Sequence, residues 1–314
     1  MSPSTPPKPV LLVALGGNAL IRKGQEGTIE EQFENLRVPM SQIARLCESH
    51  RILITHGNGP QVGNLLLQQE CCPHVPRLPL EILVAQTQGQ IGYMIESTLD
   101  SALMDLGIVT QKHLVSLISY VVVDPKDPAF RNPTKPIGPV YPEEVVPELP
   151  FPVKKTAKGY RRVVASPKPL HIVERREIQR LIAMDFVVIC CGGGGIPVVR
   201  EGRSFAGVDA VIDKDLASAR LAREVGVDLF CIATDVPGAY VHYGRPEQRL
   251  LERLSAEEAE RLAREGHFPQ GSMGPKVEAA VEFVRATGKE AVITSIDAIE
   301  AAVEGRAGTR IWAE

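Results

Sequence analysis

An α/β fold built on an open, mainly parallel sheet is what the sequence predicts, on three observations. Apolar runs of strand length, with little polar alternation, recur at residues 10–15, 51–55, 186–191 and 229–233. Such runs suit strands buried on both faces, as in sheets whose crossovers are helices. Between them lie helical patterns with their own start and stop signals. Glycine-rich turns follow directly on three of the runs, at Gly16-Gly17, Gly57-Asn58-Gly59 and Gly192 to Gly195. They fall at the carboxyl edge, where open parallel sheets bind ligands.

At 314 residues the chain can hold one large α/β domain or two lobes. Hydrophobic residues make up 44% and charged residues 23%, a soluble globular composition, and the net charge of -3 offers no broad basic field for nucleic acid. Affinity for a small anion must come from locally placed lysines and bare backbone. The cysteines at 47, 71, 72, 190, 191 and 231 form no C-x-x-C pair and no zinc spacing, and read as reduced thiols of a cytoplasmic protein. Residues 1–9 hold four prolines and no apolar signal region, and read as a short disordered lead-in; no later run approaches a membrane span.

Taken in order, the first strand gives way to Thr28-Ile29-Glu30-Glu31, which has capping-box spacing. Phe33, Leu36, Met40, Ile43, Ala44 and Leu46 continue at helical intervals. Pro60 suits the first turn of a second helix, where its missing N–H has no partner to lose. Residues 80–106 read as a long helix containing Gly89 and Gly92. Each glycine costs about 1 kcal/mol there, which a close packing contact, such as one with a subunit partner, would offset. A β-branched strand is expected over 117–123. Eleven prolines between Asp124 and Pro169 then exclude a long helix and predict a hairpin-rich excursion from the sheet.

The rhythm resumes with a helix around 174–182 and the strand 186–191, whose glycine quartet reads as a binding turn or a hinge. Asp213-Lys214-Asp215 opens the next helix, with either aspartate able to cap it. Residues 238–249 read as a hairpin, Ser255 caps a helix closed by Gly266, and Gly271 to Lys276 leads into a helix reaching Thr287. A strand over 291–294, a helix from about Asp297 and a strand near 309–312 close the chain.

Lys214 and Lys276 sharpen this pattern, because a cation in a helix's first turn opposes the macrodipole by about 0.3 to 1 kcal/mol. A solvated side chain explains either one alone. An anionic ligand explains both. The glycine turns match no known phosphate fingerprint: Gly57-x-Gly59 lacks the third glycine of the dinucleotide motif, and G-x-x-x-x-G-K-[ST] is absent. His56 reads as a structural turn histidine. Phosphoryl transfer asks mainly for positioning and charge neutralisation by backbone N–H groups, lysines and Mg²⁺, a need that glycine turns with sparse lysines meet.

Five segments carry a more specific likeness: residues 14–20 (Ala-Leu-Gly-Gly-Asn-Ala-Leu), 55–63 (Thr-His-Gly-Asn-Gly-Pro-Gln-Val-Gly), 133–139 (Pro-Thr-Lys-Pro-Ile-Gly-Pro), 211–215 (Val-Ile-Asp-Lys-Asp) and 271–280 (Gly-Ser-Met-Gly-Pro-Lys-Val-Glu-Ala-Ala). In these the chain resembles the carbamate kinases, a branch of the amino acid kinase superfamily. The resemblance implies a three-layer αβα sandwich with an open, mainly parallel sheet and a small protruding subdomain at about 124–169. An acceptor lobe would span 10–210 and a nucleotide lobe 211–314. The implied reaction is ATP plus carbamate giving ADP plus carbamoyl phosphate, reversible and set in arginine and carbamoyl phosphate catabolism. Mg²⁺ would arrive with the nucleotide, and the partner would be a second copy of the chain, through the helix holding Gly89 and Gly92.

The resemblance further implies that Gly16, Gly17, Asn18, Gly57, Asn58 and Gly59 line the acceptor and phosphoryl channel. Lys135 would reach in from the protruding subdomain, Lys214 and Lys276 would contact the moving and β/γ phosphates, and Asp215 would hold the lysines. Thr234, Asp235, Val236 and Tyr240 would flank adenine and ribose, with Met273 and Pro275 also on the nucleotide; no side chain is assigned to a metal. Val13-Ala14-Leu15 stands where most amino acid kinases carry a lysine, an absence that carbamate kinases share. Pro237, Gln86, Thr87 and Gln90 depart from the common pattern. A kinase of the same fold acting on another small carboxylate or phosphate, or a non-catalytic nucleotide-binding protein, are the competing possibilities.

Overall fold

In the computed structural model, which describes residues 7–72, 74–156 and 159–314, the run expected to be central is β1 (Val10–Leu15). It is followed by α1 (Ile29–Leu46), β2 (Arg51–His56), α2 (Gly59–Cys71), α3 (Leu80–Asp105), β3 (His113–Ser116) and β4 (Tyr120–Val123). The proline-rich stretch contributes β5 (Lys135–Tyr141), β6 (Val153–Thr156), β7 (Gly159–Val164) and β8 (Pro169–Ile172). Next come α4 (Arg175–Ala183), β9 (Phe186–Ile189), β10 (Ile196–Glu201), β11 (Ser204–Gly207), α5 (Lys214–Val225) and β12 (Leu229–Thr234). The chain closes through β13 (Tyr240–Val241), β14 (Arg249–Leu250), β15 (Arg253–Ser255), α6 (Ala256–Arg264), α7 (Met273–Thr287), β16 (Glu290–Ser295), α8 (Ile299–Val303) and β17 (Thr309–Trp312).

The main sheet has eight strands in the order β15-β17-β16-β12-β1-β2-β9-β3, all parallel pairs except β16 with β17. β1 is apolar throughout because both its faces are covered. Val10, Leu12 and Ala14 join a core with Phe230, Leu221 and Phe283 of β12, α5 and α7. Leu11, Val13 and Leu15 join another with Met40 of α1 and Ile91 and Ile95 of α3. These two cores separate three layers, as a sheet with helical crossovers requires. α1 starts as its capping box dictates: Thr28 Oγ1 accepts from the Glu31 N–H, and the Glu31 carboxylate accepts from the Thr28 N–H.

Three expectations need correction or refinement. The strand expected over 117–123 is confined to β4, in a four-stranded sheet ordered β11-β10-β4-β8, and the main-sheet strand before it, β3, lies at residues 113–116, ahead of the expected range. The chain changes sheets at Ser119, whose N–H donates to Gln88 Oε1 of α3 instead of to a neighbouring strand. The glycine quartet is buried packing, not a hinge: a side chain at Gly192, Gly193, Gly194 or Gly195 would collide with His56, Asn58, Ile212 or Val121 respectively. Within α3, Gly92 is the close contact, since a Cβ there would lie 2.7 Å from Ser116 Oγ of β3, whereas Gly89 faces open space. The first six residues of the expected 1–9 lead-in lie outside the described residues.

β5, β6 and β7 form a separate antiparallel sheet, the hairpin-rich excursion. It is fastened where β5 crosses α2. A Cβ at Gly63 would sit 3.1 Å from Gly138 Cα, so the two backbones touch, and the Arg161 guanidinium donates to the Gly138 carbonyl. This contact sets where Lys135, three residues earlier on β5, emerges.

Candidate active site

The first two glycine turns meet at the carboxyl edge of β1 and β2. The Gly16 N–H donates to the Ala233 carbonyl of β12 and the Gly57 N–H to the Leu15 carbonyl. A Cβ on Gly57 would stand 3.4 Å from the Gly17 N, and one on Gly16 3.0 Å from the Ala233 carbonyl oxygen. Bare peptide therefore lies against bare peptide, as an anion site on backbone N–H groups needs. Gly59 begins α2, with Pro60 behind it. Asn58 is buried and turned inward: its Nδ2 donates to Thr87 Oγ1 at 2.9 Å, against the glycine quartet. His56 is buried beneath the quartet, and burial pushes its imidazole down to about 4, so it is neutral at physiological pH.

Above these turns Lys214 and Lys276 converge. Lys214 Nζ is 2.5 Å from Asp215 Oδ1 and donates to the Ala14 carbonyl at 3.4 Å, while its chain passes over Gly57. Lys276 Nζ, from the first turn of α7, donates to Asp215 Oδ2 at 3.1 Å. Neither is a solvated surface lysine: their side chains are 11% and 16% exposed, and Asp215 is 5% exposed. Burial pushes the Asp215 carboxyl up, but the two ammonium groups outweigh it and bring it down to about 2. Burial and the neighbouring Lys276 push Lys214 down despite Asp215, whereas for Lys276 burial is opposed by Asp215, Asp213 and Asp235 together, which raise it. Lys135 reaches in from β5 and donates to Asp213 Oδ2 at 2.7 Å. Asp213, of the two candidate aspartates, is the cap of α5.

Beside this cluster opens a pocket of about 350 Å³. Asn18, Thr234, Asp235, Val236, Tyr240, Met273 and Lys276 line it, so seven positions singled out from the sequence come together. Pro275 does not line it. Tyr243, His267, Pro269, Gly271 and Ser272 do, and sequence reasoning passed over them as site residues. Tyr243 stacks edge-on against Tyr240 within the hairpin, and His267 stacks edge-on against His242, a contact between segments that no local spacing announces. Asn18 and Lys276 tie pocket to cluster. Lysines at the mouth of a pocket with aromatic walls are suited to hold the phosphates of a nucleotide whose base lies inside.

Comparison with known proteins agrees with this geometry. The profile of the Amino acid kinase family matches residues 9–295. The chain is 45% identical to a carbamate kinase of Thermococcus kodakarensis, over 97% of this chain and 99% of that protein. It is 46% identical to a carbamate kinase of Haemophilus influenzae, over 96% of each. Among solved structures, the carbamate kinase from Giardia lamblia bound to AMP-PNP superposes with a TM-score of 0.89 at 40% identity, covering 98% of this chain and 99% of that one. On a match this complete, carried by the same fold and by motifs that converge in space, the chain belongs to the amino acid kinase family, in its carbamate kinase branch.

Proposed function

We propose that the chain catalyses reversible phosphoryl transfer between ATP and carbamate, giving ADP and carbamoyl phosphate. One observation carries this: lysines from three distant segments gather on Asp213 and Asp215, with Lys214 against the glycine turns and Lys276 in the pocket wall. Carbamate would rest on the N–H groups of Gly17 and Gly59, which the missing side chains of Gly16 and Gly57 leave open to close approach, with Asn18 and Asn58 beside it, and the adenine nucleotide between the Thr234 to Tyr240 segment and Met273. Lys214 and Lys276 would neutralise charge on the moving phosphoryl group, Lys135 would close over it, and Asp215 would keep both inner ammonium groups aimed. Asp213 and Asp215 already accept from lysines, and among the described residues no group of three or more His, Cys, Asp or Glu could hold a metal. Mg²⁺ would accompany the nucleotide and supply charge neutralisation at its phosphates, beside Lys214 and Lys276.

We further propose an acceptor lobe at 10–210 and a nucleotide lobe at 211–314, a homodimer, a cytoplasmic location, and a place in arginine and carbamoyl phosphate catabolism. The deciding experiment forms ATP from ADP and carbamoyl phosphate in a coupled assay. Lys276→Ala is expected to lower kcat by roughly a hundredfold or more, with little change in Tm because Asp215 keeps Lys214 as a partner. Absence of turnover in the wild type, or an unimpaired variant, would refute the assignment. Turnover of acetylglutamate or a nucleoside monophosphate instead would point to another acceptor.

A further inference from the structure

Lys135 stands at the first position of β5, outside the main sheet, and its aim into the site rests on one charged contact, Nζ to Asp213 Oδ2 at 2.7 Å. The other oxygen of Asp213, Oδ1, accepts from the backbone N–H groups of Asp215 at 2.9 Å and Leu216 at 3.4 Å. A carboxylate fixed by a helix start on one side cannot swing with the lysine, so the lysine takes its position from the helix. An ammonium has three N–H donors, and the pairing with Asp213 uses one, leaving two for phosphoryl oxygens. The pair is also sheltered, with Asp213 15% and Lys135 35% exposed, unlike the open Lys155–Glu143 pair of the same protruding sheet at 68% and 69%. Shelter and fixed geometry are what separate an ion pair with a task from the many surface pairs that contribute nothing measurable.

The geometry points to Asp213 as a positioning residue that holds the Lys135 ammonium over the head of α5. Asp215 holds Lys214 and Lys276, so three successive residues, Asp213-Lys214-Asp215, assemble all three cations. This role rests on the phosphoryl transfer proposed above and adds to it the element that registers the protruding sheet against the phosphate site. Asp213 donates nothing to substrate; it acts through Lys135.

Asp213→Asn separates the two duties of this residue. Asparagine caps helices as well as aspartate does, but its amide NH₂ turns a donor toward the ammonium where an acceptor stood. In the ATP-forming assay kcat/KM for carbamoyl phosphate is expected to fall roughly ten- to a hundredfold, with ADP affinity by calorimetry and Tm near wild type. Asp213→Ser, an uncharged cap, serves if the asparagine variant does not fold. In a Lys135→Ala background the asparagine substitution is expected to add less than about twofold, because the group it positions is gone. Wild-type kinetics in the Asp213 variants, or losses that multiply with that of Lys135→Ala, would overturn the role. A loss matched by falls in ADP affinity and Tm would also overturn it, marking a structural cap. Wild-type protein inert toward carbamoyl phosphate would instead sink the proposed function and this role with it.

Discussion

At the scale of single residues, the site is a set of charges that burial would forbid singly and permits together. Leaving either ammonium of the Lys214–Asp215–Lys276 group without its carboxylate would strand a buried charge, a defect that costs about 3 to 5 kcal/mol. His56 shows the opposite solution, a group that stays neutral. Its folded value, about 4, lies below its ordinary 6.5. The stability it contributes is therefore complete above pH 6.5 and is lost as pH falls toward 4, where the unfolded chain takes a proton that the fold refuses. The loss amounts to roughly 3 kcal/mol at most. Urea midpoints measured between pH 4 and 7 are expected to drop less steeply for His56→Gln than for wild type; parallel slopes would place the acid sensitivity elsewhere.

At the scale of elements, the first turns of α5 and α7 each carry a lysine against the helix dipole, and α5 offsets this with Asp213 at its cap and Asp215 behind it. The turns between elements are held by contacts distant in sequence. Gly193, in a left-handed conformation at φ 66, underlies the Asn58 amide. Gly193→Ala adds both backbone strain and a methyl directed at Asn58, and is expected to cost about 1 to 3 kcal/mol. It should raise KM for carbamoyl phosphate while ADP binding, proposed for the Thr234 to Tyr240 side of the site, stays near wild type. Thermal melts with calorimetry would check this, and an unchanged melting point would mean that Asn58 yields freely.

At the scale of the whole molecule, one face of α3 presents Ile82 and Tyr93, 42% and 65% exposed, together with Gln86, Gly89 and Gln90. Residues at this spacing share a helical face, and large apolar side chains there are what a second copy of the chain would cover. Light scattering is expected to show a dimer for wild type, and Tyr93→Lys is expected to weaken it roughly tenfold or more. A wild-type monomer at micromolar concentration would remove the dimer from the proposal. The departures from the family pattern at Gln86 and Gln90 sit on this exposed face, whereas Thr87 points inward, where Asn58 donates to it.

The sequence by itself determined the layered α/β architecture, because runs such as residues 10–15 can be stable only when both faces are covered, and because Thr28, Pro60 and Ser255 are local signals that need no distant partner. It also marked Lys214, Lys276 and the glycine turns as out of place unless a ligand meets them. Tertiary structure alone decided which groups touch. That Asp213 holds Lys135 across 78 positions, that the glycine quartet is packing for His56 and Asn58, and that Tyr243 and His267 join the pocket wall are contacts between segments brought together by the sheet order. Such pairings depend on where the strand order places each loop, a long-range property that neither periodicity nor residue type encodes.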